Sequence, residues 1–254
     1  MPTPIEVLLD PVSLATFAIY AALILWEHFF PARELPRTPA WRLRGLAAFL
    51  LFFTLSTCLP LLWTEYLLAW QIFDLGRLGT AVGALVGVLV YEGIGYFYHR
   101  GMHASDLLWR GMHQMHHSAE RVDTWSAFWF HPFDMVGWTA VSSLALTVVV
   151  GLSAPATTAA LLTITLLSIF QHTNVRTPRW LGYLVQRPES HSWHHARGRH
   201  RNNYADVPLF DILFGTFDNP RDFAQATGFY DGASSRIGDM LLFREVSVIP
   251  ADRV

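Results

Sequence analysis

The sequence contains no lysine and only one cysteine, Cys58, among its 254 residues. A single cysteine excludes an internal disulfide, a CxxC redox pair and an iron–sulfur cluster held by cysteine thiolates. Charged residues are also scarce, since they make up 15% of the chain while 52% is hydrophobic. An ordinary soluble domain is about 25% charged. The composition therefore favours a chain that meets lipid rather than water.

Charge also argues against a nucleic-acid-binding protein and against a cleavable signal peptide. The net charge of −2 gives no electrostatic basis for binding nucleic acid. Residues 1–10 contain Glu6 and Asp10 but no arginine, so the basic start of a cleavable signal peptide is missing. We therefore expect the first apolar run to remain in the protein as a membrane helix.

Long apolar runs predict membrane helices, because about 30 Å of hydrocarbon is crossed by roughly 20 helical residues. The candidate runs are 12–30, 45–63, 78–98 and 135–171. The last run is too long for one crossing, and Gly151 and Pro155 in its middle predict a hairpin with arms of about 16 residues. The sequence thus predicts an all-α integral membrane protein, a bundle of about five hydrophobic helices whose last two form a hairpin.

The distribution of arginine predicts how these helices are oriented. Four arginines lie in residues 31–44, one in 64–77, three in 99–134 and ten after His172. Because arginine-rich segments favour the cytoplasm, we expect a multi-pass protein with its N-terminus outside and its C-terminus cytoplasmic. A hairpin returns to the side from which it starts. The histidines on both sides of the hairpin are therefore expected at the cytoplasmic face.

Histidine is abundant, with twelve copies, ten of them between His99 and His195. Eight form three boxes at helical spacing, an HxxxH followed by two HxxHH motifs: His99 and His103; His113, His116 and His117; His191, His194 and His195. Residues three or four apart share a helical face. We therefore expect these eight imidazoles to converge on one volume and to form the catalytic metal centre.

Imidazole binds iron, zinc, copper and nickel, and eight such ligands are too many for one ion. The boxes therefore predict a di-metal site in which each ion has about four protein nitrogens. His131 and His172 lie at the two ends of the predicted hairpin and are further candidate metal ligands. His28 and His200 are interpreted as ordinary helix-end and loop residues.

Glu92 is the one carboxylate in the third apolar run, seven residues before His99 and on the same helical face. A carboxylate inside a membrane helix is costly and points to a function. We expect Glu92 to orient His99 or His103 by accepting a ring N–H, as carboxylates behind metal ligands do.

These motifs resemble the fatty acid hydroxylase/sterol desaturase superfamily, the membrane histidine-box di-iron oxygenases. The resemblance covers roughly residues 85–217. Besides the boxes, it rests on Tyr96-Phe97-Tyr98 before His99, on Phe130-His131-Pro132, and on a closing signature of Asn203-Tyr204, Asp211 and Phe214-Gly215-Thr216. It departs from the family pattern at Ala205, where the family has glycine, so a changed turn is expected.

The resemblance implies two iron ions, O2 as co-substrate and a lipid substrate, a fatty acyl chain, sterol or related lipid, that is hydroxylated or desaturated. It also implies an external electron donor. Because no His-Pro-Gly-Gly motif of a fused cytochrome b5 occurs, we expect a separate cytochrome b5-, ferredoxin- or reductase-type protein. We expect N-terminal membrane helices over 1–77, the catalytic region over 78–217 and a C-terminal tail over 218–254.

Two alternatives stay open on the residues alone. One is a zinc-dependent membrane hydrolase, although catalytic zinc normally takes three protein ligands plus water. The other is a membrane metal transporter or metal-binding protein, which would need polar groups along a path near the bilayer midplane.

Overall fold

The computed structural model describes residues 4–248, which fold into helices and form no β-strand. The α-helices are α1 (Pro4–Leu9), α2 (Pro11–Phe29), α3 (Trp41–Leu68), α4 (Thr80–Ala104), α5 (Asp106–Leu108), α6 (Gln114–His117), α7 (Pro132–Ser143), α8 (Ala154–Phe170), α9 (Pro188–His194), α10 (Leu209–Leu213) and α11 (Ile237–Leu241). Two π-helical segments, Trp109–His113 and Leu144–Val150, precede α6 and extend α7. Short 3-10 turns span Thr124–Ser126, Arg179–Tyr183 and Ala233–Ser235.

Four of the described helices are long and apolar enough to cross a membrane: α2, α3, α4, and α7 with its π-helical extension, which together span Pro132–Val150. The fifth apolar helix, α8, has 17 residues. Large apolar side chains such as Leu51, Leu62 and Leu85 are exposed on the outside of the bundle, as lipid contact allows. The predicted all-α bundle of about five hydrophobic helices is confirmed.

The hairpin turns at Gly151, as its sequence predicted, but its first arm begins earlier than expected, at Pro132. Gly151 has a φ of +62°, and a Cβ there would collide with Gln71 and the carbonyl of Phe73. The adjoining loop supplies hydrogen bonds to the end of the π-helix, since Ile72 N donates to Val148 O at 2.7 Å. These bonds satisfy carbonyls that a helix end otherwise leaves open in an apolar environment.

Small residues let α4 pack closely against the hairpin. A Cβ at Gly83 would meet Ala156 of α8, and one at Gly137 of α7 would collide with the hydroxyl of Tyr98. Such close approach is the usual way in which membrane helices pack. It holds α4, which carries the first histidine box, against α7 and α8.

The segments that flank the membrane helices meet at one end of the bundle. The carboxylate of Glu27 accepts hydrogen bonds from the backbone N–H groups of Thr124 and Asn174 at 2.7 and 3.0 Å. The C-terminal segment packs there too, because the Glu120 carboxylate accepts from Gly232 N at 2.9 Å. All three histidine boxes therefore lie at the same end of the protein.

Candidate metal centre and substrate cavity

Nine histidines gather into two adjoining groups at this end of the bundle. The five-histidine group contains His99, His103, His113, His117 and His194, and the four-histidine group contains His116, His172, His191 and His195. Within each group the candidate ligand nitrogens lie within 4.8 Å of one another. The rings of His117 and His195 stack at 4.2 Å where the two groups meet. All eight box histidines and His172 are thus brought together.

Helical spacing explains how each box is divided. Residues four apart lie almost above one another on a helix, whereas the residue at i+3 is turned about 100° from the one at i+4. His99 and His103 accordingly share one group, as do His113 and His117, while His116 points into the other. The π-helical turn Trp109–His113 carries the start of the second box, and such turns are frequent at functional sites.

Ring nitrogens inside each group approach one another as ligands of one ion would. His99 Nε2 and His113 Nε2 are 2.9 Å apart, and His113 Nε2 and His117 Nε2 are 3.2 Å apart. In the other group, His172 Nε2 lies 3.2 Å from His116 Nε2 and 3.0 Å from His191 Nε2. Two nitrogens bound at right angles, each about 2.1 Å from an ion, would be about 3.0 Å apart.

Several rings are oriented from behind by a hydrogen bond at Nδ1. His99 Nδ1 donates to the carbonyl of Tyr204 at 2.8 Å, and His194 Nδ1 donates to that of Asn202 at 2.6 Å. His172 Nδ1 donates to the carbonyl of Ser168 at 2.7 Å. A bond of this kind fixes the tautomer and leaves the lone pair of Nε2 directed at the metal position.

Asp134 does the same for His113, whose Nδ1 lies 2.8 Å from Asp134 Oδ2. Both side chains are buried. Sequence reasoning missed Asp134, although the argument made for Glu92 applies to it, since it is a carboxylate in the first turn of an apolar helix.

The closing signature holds the loop that supplies two of these carbonyls. The Asp211 carboxylate accepts from the N–H groups of Tyr204 and Ala205 at 2.9 and 3.0 Å, and from Thr216 Oγ1 at 2.7 Å. Ala205 is not among the described residues with positive φ, so an alanine fits where the family has glycine. Asn202 and Asn203 do have positive φ, a conformation that asparagine tolerates better than most residues.

Two other sequence candidates, Glu92 and His131, lie outside both histidine groups. Glu92 Oε2 accepts from Asp206 N at 2.8 Å and from Val207 N at 3.1 Å. The expected bond to a histidine ring is not made among the described residues: His99 Nδ1 donates to Tyr204, and Glu92 Oε1 has no partner in residues 4–248. Glu92 instead supports the loop that follows Tyr204.

His131 lies outside both histidine groups. It precedes the first turn of α7, where its Nδ1 accepts from Phe133 N at 3.1 Å. His200, interpreted from sequence as a loop residue, places Nδ1 3.0 Å from Nδ1 of His117. No sequence spacing relates His200 to the second box, so the folded loop alone brings them together.

Burial keeps the imidazoles of the two histidine groups neutral. It lowers the pKa of His172 to about 4. Burial, followed by the neighbouring His195, holds the pKa of His117 well below its ordinary value. Burial, followed by His116, does the same to the pKa of His195. Metal binding requires the neutral imidazole, so the environment favours the ligand form.

The donor set fits two metal ions. In the five-histidine group, the buried Nε2 atoms of His103 and His194 have no hydrogen-bond partner in residues 4–248. In the four-histidine group, His191 Nε2 lies 3.0 Å from His172 Nε2 and 3.1 Å from His195 Nε2. Unpaired buried polar atoms are costly, and facing lone pairs repel one another. Cations bound by these imidazoles would remove both penalties.

A cavity of about 970 Å³ connects this site with the interior of the membrane bundle. Its walls come from helices α2, α3, α4, α7 and α8, and its inner end is formed by His99, His113, His116, His172 and His191. The cavity runs past Thr139 and Thr147 to Gly151 at the hairpin turn. An elongated apolar molecule can therefore lie among the membrane helices with one end at both histidine groups.

The fold and this site define a helical membrane protein with a histidine-rich centre suited to two metal ions. The fatty acid hydroxylase family model matches residues 84–216, slightly more than half of the chain. The chain belongs to this family, and the resemblance seen in its sequence is confirmed. Membership implies an oxidoreductase that acts on lipid. No curated protein and no solved structure matched the chain.

Proposed function

We propose that this protein is an iron- and O2-dependent membrane oxygenase that hydroxylates or desaturates a lipid. The observation that carries the proposal is the meeting of the 970 Å³ cavity with both histidine groups. The eight box histidines and His172 hold two iron ions, and His131 is left out of the ligand set. When bound, the ions supply the oxidation of an unactivated C–H bond by O2.

The chain's own part is to position the lipid and to keep water away. Helices α3, α7 and α8 line the cavity along the lipid, and Phe128 and Phe130 line it as well. The ring of Phe130 stacks on that of His116 at 4.3 Å. A dry, apolar wall next to the metal position favours reaction with the lipid over reaction with solvent.

The overall chemistry requires electrons from outside. Hydroxylation converts one C–H bond, one O2, two electrons and two protons into an alcohol and water. Desaturation breaks two C–H bonds with the same O2, electrons and protons and releases two waters. A separate electron-transfer protein supplies these electrons on the side opposite the cavity. There Trp109, which is partly exposed, contacts the rings of His103 and His117 at 5.1 and 5.2 Å.

We assign catalysis to residues 78–217. The described helices of the N-terminal region 1–77 complete the cavity, and the described part of the tail 218–254 packs beside the second histidine box, where Gly232 N donates to the Glu120 carboxylate. We further propose that the histidine end and the C-terminus face the cytoplasm, following the arginine distribution, and that the N-terminus lies outside. Cysteine labelling from each side of sealed vesicles would test this orientation.

Metal content tests the function most directly. We would purify the full chain in detergent from iron-supplemented cells, together with the H113A/H116A/H117A variant and H28A as a control outside both groups. About two irons per chain in wild type and H28A, lost in the triple variant, would support the proposal. One zinc per chain with no iron would favour a membrane hydrolase. The absence of bound metal from wild type, H28A and the triple variant alike would contradict the proposal.

Substrate is identified in a second step. Lipid extracts from cells that express wild type or the triple variant would be compared by mass spectrometry. A lipid that gains one oxygen, or loses two hydrogens, only with wild type is the expected result. It would also decide between hydroxylation and desaturation.

A further inference from the structure

A second pocket lies at the start of α3, outside both the histidine groups and the large cavity. Its volume is about 340 Å³. Among the described residues, its lining contains three arginines and no acidic residue. The lining residues are Arg37, Thr38, Ala40, Trp41, Arg42, Leu43 and Arg121. Three guanidinium groups around one small volume favour an anion.

Two walls of this pocket are held in place by Asp123. Arg121 donates from Nε to Asp123 Oδ2 at 2.9 Å and from Nη1 to the carbonyl of Pro36 at 2.9 Å. Trp41 Nε1 donates to Asp123 Oδ1, also at 2.9 Å. Asp123 is buried behind the pocket and balances one of the three positive charges. Two guanidinium charges remain for a ligand.

The first turn of α3 adds to the positive potential. The helix has 28 residues, and Ala40 at its N-cap offers no side-chain acceptor to the first N–H groups. Open N–H groups and the helix dipole make such an end attractive to phosphate. The N-terminus of α3 therefore favours an anion, as the three arginines do.

The outer face of α3 indicates where the anion comes from. Leu43, which lines the pocket, is 70% exposed, and Leu46 and Leu50 continue the same helical face as exposed residues. An apolar stripe that leads away from a cationic pocket matches the two parts of a membrane lipid. A soluble phosphate would make no use of that stripe.

We propose that this pocket binds the phosphate group of an anionic membrane lipid, whose acyl chains lie along Leu43, Leu46 and Leu50. Arg37 and Arg42 form charge-assisted hydrogen bonds to the phosphate oxygens, for which the guanidinium group is well shaped. The site is separate from the lipid cavity that ends at the histidines, and it does not depend on the proposed oxygenase activity.

The test uses the full-length protein in a neutral detergent, titrated calorimetrically with dioctanoyl phosphatidic acid, with dioctanoylglycerol, which lacks the phosphate, and with inorganic phosphate. The variant R37Q/R42Q removes two exposed pocket arginines and leaves the contacts of Arg121 intact. R176Q/R221Q removes two exposed arginines outside the pocket as a charge-matched control. Equal melting temperatures and metal contents would show that both variants fold.

We expect phosphatidic acid to bind wild type and R176Q/R221Q alike, and to bind R37Q/R42Q at least about tenfold more weakly. Dioctanoylglycerol should bind far more weakly to every form. Equal binding of phosphatidic acid by R37Q/R42Q and wild type, or equal binding of the two lipids, would overturn the proposal. Inorganic phosphate that binds as tightly as phosphatidic acid would overturn the lipid assignment and support a site for soluble phosphate.

Discussion

Nδ1 of His113 and Oδ2 of Asp134 lie 2.8 Å apart, and both side chains are buried. The pair joins the second histidine box to the first turn of α7, so the ligand is oriented by a membrane helix distant in sequence. The other Asp134 oxygen receives a longer hydrogen bond of 3.4 Å from Tyr98 Oη.

From this pair we predict that D134A weakens metal binding about 10- to 100-fold, because the His113 ring loses the acceptor that fixes its tautomer. Metal retention during dialysis against a graded chelator would measure the loss. Y98F removes only the longer contact and is the control, for which a change below about threefold is expected. Equal retention by D134A and wild type would show that Asp134 does not orient the ligand.

His131 and His172 provide a second, internal comparison, because the sequence offered both as ligands and the fold separates them. His172 Nε2 lies 3.0 Å from His191 Nε2, whereas His131 is bonded to the backbone at the start of α7. We predict that H172A lowers metal content by about one ion per chain and that H131A leaves it unchanged. Elemental analysis of the two variants would check this, and metal loss in H131A alone would reverse the assignment.

Much of this arrangement follows from the sequence, and the reasons for the remainder are physical. Helical spacing predicts that His99 pairs with His103, and an apolar run with Gly151 at its centre predicts the hairpin. The spacing does not show that nine histidines divide into groups of five and four, because that depends on how three elements meet. The carbonyls of Asn202 and Tyr204 carry no side-chain signal, so the bonds that orient His194 and His99 appear only in the folded loop.

The buried histidines also predict acid sensitivity of the metal-free protein. An unfolded histidine has a pKa near 6.5, whereas burial lowers the pKa of His172 to about 4 and holds that of His191 well below its ordinary value. The unfolded chain therefore takes up protons first as the pH falls. The free energy of unfolding should be highest above about pH 6.5 and should decrease as the pH falls towards 4. The loss is up to about 3 kcal/mol for His172 alone.

Melting temperatures of the chelator-treated protein at pH 7.5, 6 and 5 would measure this effect. We expect a progressive decrease below pH 6.5 that is smaller in H172N, because asparagine does not titrate. Added metal should oppose the decrease at pH 6, since it binds the neutral rings. A melting temperature that stays constant from pH 7.5 to 5 would contradict the buried, neutral state of these histidines.

The last prediction concerns the length of the cavity and rests on the proposed oxygenase function. Thr139 and Thr147 both line it, and Thr147 lies nearer the hairpin turn at Gly151, roughly 12 Å further along the helix. T147F should fill the far part and leave the histidine end open. We expect the oxidised lipids made in cells to shift towards shorter chains, with metal content unchanged. L144F adds the same ring at a residue that is 43% exposed on the same helical segment, so its product profile should match that of wild type. Identical profiles for T147F and L144F would show that the substrate does not extend along this cavity.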